Sequence, residues 1–472
     1  MKPPLYVDLD GTLVRTDTMQ QASLAMLRDH PLATLRAGLA MFKGRQAAKD
    51  IVAETVEIDP ANLPYREAVI EYVKSARAEG RRVVLATGSH RKYADAVAKY
   101  LGCFDAVYAT ENGTNLIGAN KLVSIRADCG EKDFEYLGDS GQDLVIFEAS
   151  AVAGMVGGRK FNPFKNTKVQ IHRLAHIHNN TPGDLFRLLR PHQWVKNVLV
   201  ALPLLASHRL SEWPLIWVTL ATFGVFCLIA SGNYILNDLL DIDADRRHPT
   251  KRNRPLASGA VTILRAFQMA IVLLGAGIVG ATLISLNAML IMVGYLLLAN
   301  LYSFQLKRRL LVDVMALAAM YTLRPIAGGV TTGIPPSEWL LAFCMFFFAC
   351  LAFAKRYTEL RHRVDEGTLT PGRAYQPADL DILRVVGPVN GYLAVMVVAL
   401  YISSPVVKNL YERPQLLWLV CAVLAYWVTR VWFFAHRGAL HDDPVVFALK
   451  DWKSYLAVAI CVGAGVAASV KI

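Results

Sequence analysis

Two acidic clusters in this chain have the spacing that phosphate chemistry needs. The first is Asp8–Leu9–Asp10–Gly11–Thr12, close to the N-terminus. Residues two apart on an extended strand leave the same face, so the two carboxylates emerge together. One can attack phosphorus while the other gives and recovers a proton, and Gly11 permits the sharp exit that exposes them. The second cluster is Asn237–Asp238–Leu239–Leu240–Asp241–Ile242–Asp243–Ala244–Asp245. On a helix, Asp238, Asp241 and Asp245 lie three and four apart and share one face, while Asp243 points elsewhere. Three like charges packed together repel. A divalent cation removes that conflict and presents a site for a diphosphate, with Asn237 as a neutral oxygen ligand. The run Arg246–Arg247–His248–Pro249–Thr250–Lys251–Arg252–Asn253–Arg254–Pro255 follows directly. So basic a loop beside acids suits a substrate with several phosphates, because guanidinium forks grip phosphate oxygens in pairs.

The elements that must position these clusters differ in kind. Among 472 residues, 54% are hydrophobic, and mean hydropathy is +0.33, but the apolar residues are unevenly spread. Residues 1–184 mix charges with short apolar runs. Leu5–Leu9, Arg82–Ala86, Phe104–Ala109 and Phe134–Leu137 read as strands, 18–80 and 91–101 as helical. Strands alternating with helices imply a parallel sheet, with polar groups gathered past its strand ends. Residues 160–184 are basic and polar, and read as a linker. Beyond them come nine apolar segments of spanning length, about 191–207, 215–236, 263–284, 288–304, 310–331, 338–356, 386–404, 414–435 and 454–470. The expected fold is an N-terminal α/β domain followed by an all-α membrane bundle of nine transmembrane helices.

Charge sets the orientation. The loops 237–265, 305–309, 355–384 and 436–453 are rich in Lys and Arg, whereas the opposite loops hold only Arg209, Lys408 and Arg413. The basic set faces the cytoplasm. Residues 1–20 contain no long apolar signal segment, so the N-terminal domain is expected in the cytosol and, with nine spans, the C-terminus outside. A net charge of +12 concentrated in short loops, without a basic stripe interleaved with stacking aromatics, excludes nucleic acid as the partner. The seven cysteines are scattered and imply neither zinc nor disulfides. His172, His176 and His178 sit in the basic linker and read as solvated.

Four parts in order, DLDGTL, LATGS, a lysine and GDSGQD, resemble the haloacid dehalogenase-like phosphatase superfamily over about residues 1–160. The resemblance implies a Rossmann-like core with a small helical cap at about 15–80. It makes Asp8 the nucleophile, Asp10 the general acid/base and Thr87 a phosphoryl ligand. Lys121 neutralises growing charge, with Lys99 or Lys132 as alternatives. Asp8, Asp10, Asp139 and Asp143 are the expected magnesium set.

Residues 185–472, with their nine spans and the NDxxDxxxD motif, resemble the UbiA prenyltransferase superfamily, leaving 161–184 as the linker. Most members that prenylate aromatic rings carry a further DxxxD in a second cytosolic loop. Here that loop reads Tyr302–Ser303–Phe304–Gln305–Leu306–Lys307–Arg308–Arg309, and the nearby acid is Asp313. RPHQWVKN (190–197), HPTKRNRPLASG (248–259), YSFQLK (302–307), TLRPIAGG (322–329) and AKRYTEL (354–360) look like the narrower decaprenyl-phosphate phosphoribosyltransferase branch.

In that branch the diphosphate belongs to phosphoribosyl pyrophosphate and a polyprenyl phosphate is the acceptor. The resemblance then implies Mg2+ in both domains, held here by Asp238, Asp241 and Asp245. Lys251, Arg252, Arg254 and Lys307 are expected on the donor's phosphates. Lys196, Arg324, Lys355 and Arg356 are expected on the lipid phosphate, with Asn197, Asn237 and Tyr302 lining the substrate. The implied product, once its ribose 5-phosphate is removed, resembles an intermediate toward lipid-linked arabinofuranose. The setting is a bacterial inner membrane, and a homo-oligomer is left open. Two rivals stand: a prenyltransferase acting on an aromatic acceptor, and a non-catalytic lipid carrier or transporter.

Overall fold

The computed structural model describes residues 2–111, 115–156, 169–175, 180–365, 374–440 and 444–470. The chain divides into two compact units. One comprises Met1–Leu189 and Tyr234–Ile271, the other Arg190–Asn233 and Val272–Ile472. The second acidic cluster and its basic loop thus belong to the unit built on the N-terminal domain.

That unit opens on β1 (Leu5–Val7), followed by helices α1 (Thr18–Asp29), α2 (Pro31–Ala40), α3 (Arg45–Thr55) and α4 (Glu67–Ala78). Then come β2 (Val83–His90), α5 (Arg91–Leu101), β3 (Ala106–Thr110), α6 (Ala119–Cys129), β4 (Glu135–Gly138) and α7 (Leu144–Ala149). The series ends with β5 (Val152–Val156), β6 (Gln170–Ala175) and α8 (Pro182–Leu188). The six strands form a parallel sheet in the order β3-β2-β1-β4-β5-β6. Alternation along the strands builds its two faces. Leu5, Val7, Leu85 and Leu137 pack with Val69, Ile70 and Val73 of α4 on one side. Tyr6, Val84, Ala86 and Tyr136 pack with Ile125, Ile146 and Phe147 of α6 and α7 on the other.

Two elements differ from the sequence expectation. The expected cap runs to residue 80, yet α4 packs on the sheet, and α1–α3 gather around Ala22, Met26 and Val52, which rest on Tyr93 of α5. Within the expected linker, residues 170–175 pair with β5 as a sixth strand. An edge strand has one neighbour and is blunted with polar side chains, so Gln170 and His172 disguise it. The His172 ring lies 5.4 Å from that of Tyr72, while His176 and His178 lie outside the described residues.

In the other unit, residues 191–207 had been expected to form the first span. They are instead a 3-10 helix, Pro191–Ala201, followed by the short α9 (Leu202–Ala206). Pro191 and Pro203 lack N–H donors, and polar Lys196 and Asn197 interrupt the apolar run. Next come α10 (Trp213–Leu240), which carries the chain from this unit into the first, and α11 (Ile242–Arg247). Among the described residues eight helices are long and apolar enough to span a membrane. They are α10 and Ile263–Ile284, Leu286–Arg308, Val312–Thr332, Glu338–Asp365, Pro377–Ser403, Pro414–His436 and Trp452–Ser469. They match the last eight expected spans.

Candidate functional site

The carboxylates at the sheet's C-terminal edge come from strands distant in sequence. Asp8 follows β1, and Asp139 and Asp143 follow β4. One oxygen from each of these three acids lies within 4.8 Å of the others. Oxygens around an octahedral magnesium are about 3 Å apart when adjacent and about 4.2 Å when opposite, so three oxygens gathered this closely can close on one such ion. Gly11, at φ +79°, makes the cluster sterically possible: a Cβ there would fall 2.2 Å from Asp139 Oδ2.

Lys121 lies on α6, buried, and donates to Asp8 Oδ1 at 3.0 Å, Asp143 Oδ1 at 3.2 Å and the Tyr136 hydroxyl at 2.8 Å. Lys99 and Lys132 are exposed. Burial alone would lower the Lys121 ammonium, but Asp8 and Asp143 reverse this and raise it. Burial raises Asp8 to about 6, with Lys121 restraining the rise. It raises Asp139 to about 7, with Asp8 and Asp143 adding to the effect. Lys121, with Arg66 acting on Asp139, does not balance three carboxylates, which leaves a net negative pocket suited to a divalent cation.

Asp10 turns away from this trio. Its carboxylate accepts from the Thr18 N–H at 2.9 Å, from Thr18 Oγ1 at 3.3 Å and from Ser89 Oγ. Asp10 was expected among the metal ligands, but its two side-chain oxygens are engaged by α1 and β2. Burial, then the nearby Asp17, raises it to about 8. That protonation state suits a general acid. Thr87 is buried, and its Oγ1 accepts from the Ser89 N–H at 3.1 Å. Sequence reasoning missed Thr18, Ser89 and Tyr136. Ser89 was within reach, since it ends the LATGS run; nothing in the sequence pointed to Tyr136.

The second acidic cluster is more local. α10 ends at Leu240, Asp241 turns the chain, and α11 resumes at Ile242, with Asp241 N–H bonded to Asn237 O at 2.9 Å and Asp245 N–H to Asp241 O at 2.8 Å. Helical spacing therefore survives the bend. Asp238 and Asp245 are buried, and one nitrogen of Arg254, Nη1, reaches Asp238 Oδ1 at 3.3 Å and Asp245 Oδ2 at 2.6 Å. Two carboxylates gathered by a single nitrogen are close enough for one cation to bridge them. Asp241 and Asn237 are half-buried beside them, and Lys251 and Arg252 are exposed.

Asp243 is not idle. Gln21 of α1 donates its amide to Asp243 Oδ1 and accepts from Arg246 Nη1 at 2.6 Å. Arg246 Nε donates to Ala257 O at 2.9 Å, and Arg28 of α1 donates to Leu240 O at 3.0 Å. Gly259, at φ +72°, lies against Arg15, where a Cβ would fall 2.5 Å from the Arg15 Cβ. One face of α1 thus holds Asp10 through Thr18, and its next turn holds α11 through Gln21.

The expected lipid-phosphate residues lie in the other unit. Arg324 is 3% exposed. Its Nε donates to Asn197 Oδ1 at 2.9 Å and its Nη2 to the Tyr295 hydroxyl at 3.3 Å. The rings of Phe226, Tyr295 and Tyr321 surround it, and the Lys196 ammonium lies 5.6 Å from the Tyr321 centroid. Arg356 is 2% exposed. It pairs with Asp313 at 3.0 Å and with Glu359, and donates to the Tyr302 hydroxyl at 3.1 Å. Asp313 is fully buried and also accepts from the Tyr375 hydroxyl at 2.7 Å. Lys307 and Lys355 are half-buried.

Residues 197–454, more than half of the chain, match the model of the UbiA prenyltransferase family, and residues 5–148 match that of the haloacid dehalogenase-like hydrolases. The chain belongs to the UbiA prenyltransferase family and carries a haloacid dehalogenase-like domain in front. It is similar to the uncharacterized protein y4nM of Sinorhizobium fredii (strain NBRC 101917 / NGR234), 36% identical over 471 residues, covering 99% of this chain and 91% of that protein. It is also 33% identical over 277 residues to the decaprenyl-phosphate phosphoribosyltransferase of Mycobacterium tuberculosis (strain ATCC 25618 / H37Rv), covering 58% of this chain and 89% of that protein. Among solved structures, a UbiA homolog from Archaeoglobus fulgidus bound to GPP and Mg2+ has a TM-score of 0.46 at 17% identity, over 60% of this chain and 99% of that one. This is a multi-pass membrane enzyme that joins a UbiA-type transferase domain to a phosphatase domain.

Proposed function

We propose that this enzyme transfers 5-phosphoribose from phosphoribosyl pyrophosphate to a polyprenyl phosphate and then removes the ribose 5-phosphate, giving polyprenyl-phospho-ribose. In this reading residues 1–160 are the phosphatase domain and 185–472 the transferase domain, both working at the cytoplasmic face of a bacterial inner membrane. The observation that carries the choice of donor is Asp313. A second metal cluster for a prenyl diphosphate would need acids in that loop, and its acid is committed to Arg356 and Tyr375. The similarity to a decaprenyl-phosphate phosphoribosyltransferase supports the same choice.

In the transfer step, Asp238, Asp241 and Asp245 would hold a magnesium ion, which would supply positive charge for the leaving pyrophosphate. Lys251, Arg252, Arg254 and Lys307 grip donor phosphates, and Lys196, Arg324 and Lys355 provide positive charge for the lipid phosphate; Arg356, expected beside them, is already balanced by Asp313 and Glu359 and instead positions Tyr302. As the bond from C1 to pyrophosphate breaks, C1 gains oxocarbenium character and a lipid phosphate oxygen attacks from the opposite face.

In the hydrolytic step, Asp8 attacks the 5-phosphorus, and Asp10 gives its proton to the departing ribose oxygen. Asp10 then takes a proton from the water that attacks the aspartyl phosphate, releasing inorganic phosphate and restoring Asp8. Lys121 offsets charge on the transferring phosphoryl group, and Asp8, Asp139 and Asp143 would hold a magnesium ion that, when bound, would supply further positive charge there.

The test is incubation of purified protein with phosphoribosyl pyrophosphate, Mg2+ and polyprenyl phosphate, comparing wild type with Asp8→Asn. The variant should accumulate the 5-phosphorylated lipid. If it does not, the two-step scheme is wrong.

A further inference from the structure

Beside the Asp8 cluster, residues 11–16 and 63–66 form a small strap. Val14 bridges Tyr65, the Arg15 N–H bonds to Pro64 O at 2.9 Å, and the Arg66 N–H bonds to Leu13 O at 3.0 Å. Four buried side-chain atoms of this strap have no hydrogen-bond partner among the described residues: Thr12 Oγ1, Arg15 Nε, the Tyr65 hydroxyl and Arg66 Nη1. All four can donate, and the two guanidinium groups can only donate.

Arg66 is 2% exposed, and its Nε is tied to Gly11 O at 3.1 Å, the residue that touches Asp139. Burial, then its neighbour Arg15, lowers the Arg66 guanidinium to about 10, with Asp139 opposing the fall. Asp139 belongs to the acidic trio, so among the described residues no carboxylate is dedicated to the two arginines. A concentration of buried donors and like positive charge is the inverse of the trio next to it, and an anion resolves it.

We propose that this strap is a second anion site of the phosphatase, where Arg15 and Arg66 bind the phosphate at C1 of a ribose whose 5-phosphate faces Asp8. The proposal rests on the two-step reading above and names its hydrolytic substrate class, a ribose ester phosphorylated at both ends. The two arginines determine specificity: they distinguish the transferase product from a simple ribose 5-phosphate. Gly259, packed on Arg15, brings the loop after the second acidic cluster to the edge of the same strap.

The experiment measures phosphate release by the full-length protein, with Mg2+, from ribose 1,5-bisphosphate and from ribose 5-phosphate. Wild type should favour the bisphosphate by at least about tenfold in kcat/KM, mostly through KM. In Arg15→Met and Arg66→Met that ratio should collapse toward one, and Arg66→Lys should retain part of it. Because Arg66 also braces Gly11, Arg15→Met and the wild-type ratio keep the test decisive if Arg66→Met misfolds. Equal kcat/KM for the two esters in wild type overturns the second site alone. So do variants that lower both rates in proportion, which would mark the arginines as structural. If p-nitrophenyl phosphate is hydrolysed and neither ribose phosphate is, the two-step reading fails and this proposal fails with it.

Discussion

The two acidic sites solve the same problem, gathering carboxylates for a phosphate-bound cation, by opposite means. Around Asp8 the acids come from the ends of β1 and β4, and the balancing Lys121 comes from α6. Around Asp238 the acids come from one helical repeat, and the balancing Arg254 follows a few residues later in the same segment. The first site is held rigid by the sheet, and its lone ammonium leaves charge for a metal to neutralise. The second is a local motif, and its surroundings are supplied by α1, the helix that also orients Asp10. Convergence of distant elements gives a fixed geometry; a local repeat gives spacing and must borrow its support.

The largest expected effect breaks the first site alone. Asp8→Asn should lower phosphate release by at least about 10³-fold, as loss of a nucleophile does, while pyrophosphate release continues. Conversely, Asp238→Asn should lower pyrophosphate release by about 10²-fold or more and leave hydrolysis of a soluble phosphate ester near wild type. If either substitution abolishes both activities, the sites are not separable.

Asp313→Asn probes stability instead. Breaking the buried pair with Arg356 should cost about 3–5 kcal/mol, read as a lower melting temperature, with no change in the magnesium dependence of transfer. A shifted magnesium requirement would make Asp313 a metal ligand after all.

Smaller effects sharpen the contrast in charge balance. Arg254→Met leaves Asp238 and Asp245 without their shared cation. Its melting temperature should therefore rise with added Mg2+ by a few degrees more than wild type does, about 1 kcal/mol. Gln21→Ala removes two hydrogen bonds and leaves Arg246 short of an acceptor, a local loss of about 1–3 kcal/mol. Hydrogen exchange should quicken over 18–29 and 242–262 together; quickening in one segment only would mean that α1 does not brace the second site.

Much of this was legible in the residues themselves. Helical and strand periods are local properties, so four strands, α5 and eight spans were readable from apolar patterns, and both acidic motifs from their spacing. The segment 191–207 was harder, because its apolar run fits a span while its prolines favour a 3-10 helix. Residues 170–175 were harder still, since an edge strand can be polar.

What the sequence by itself determined was which residues carry charge, how they repeat, and hence the two phosphate-directed motifs. Which charges face one another was decided only by tertiary structure. Lys121 rather than Lys99 or Lys132 meets Asp8, and Asp10 is taken by Thr18 and Ser89 instead of joining the trio. Asp313 is claimed by Arg356, and Arg15 Nε and Arg66 Nη1 face no acceptor among the described residues. The physical reason is range. Periodicity acts over one or two helical turns, whereas an ion pair such as Asp8 with Lys121, 113 residues apart, exists only after the sheet has stacked its strands.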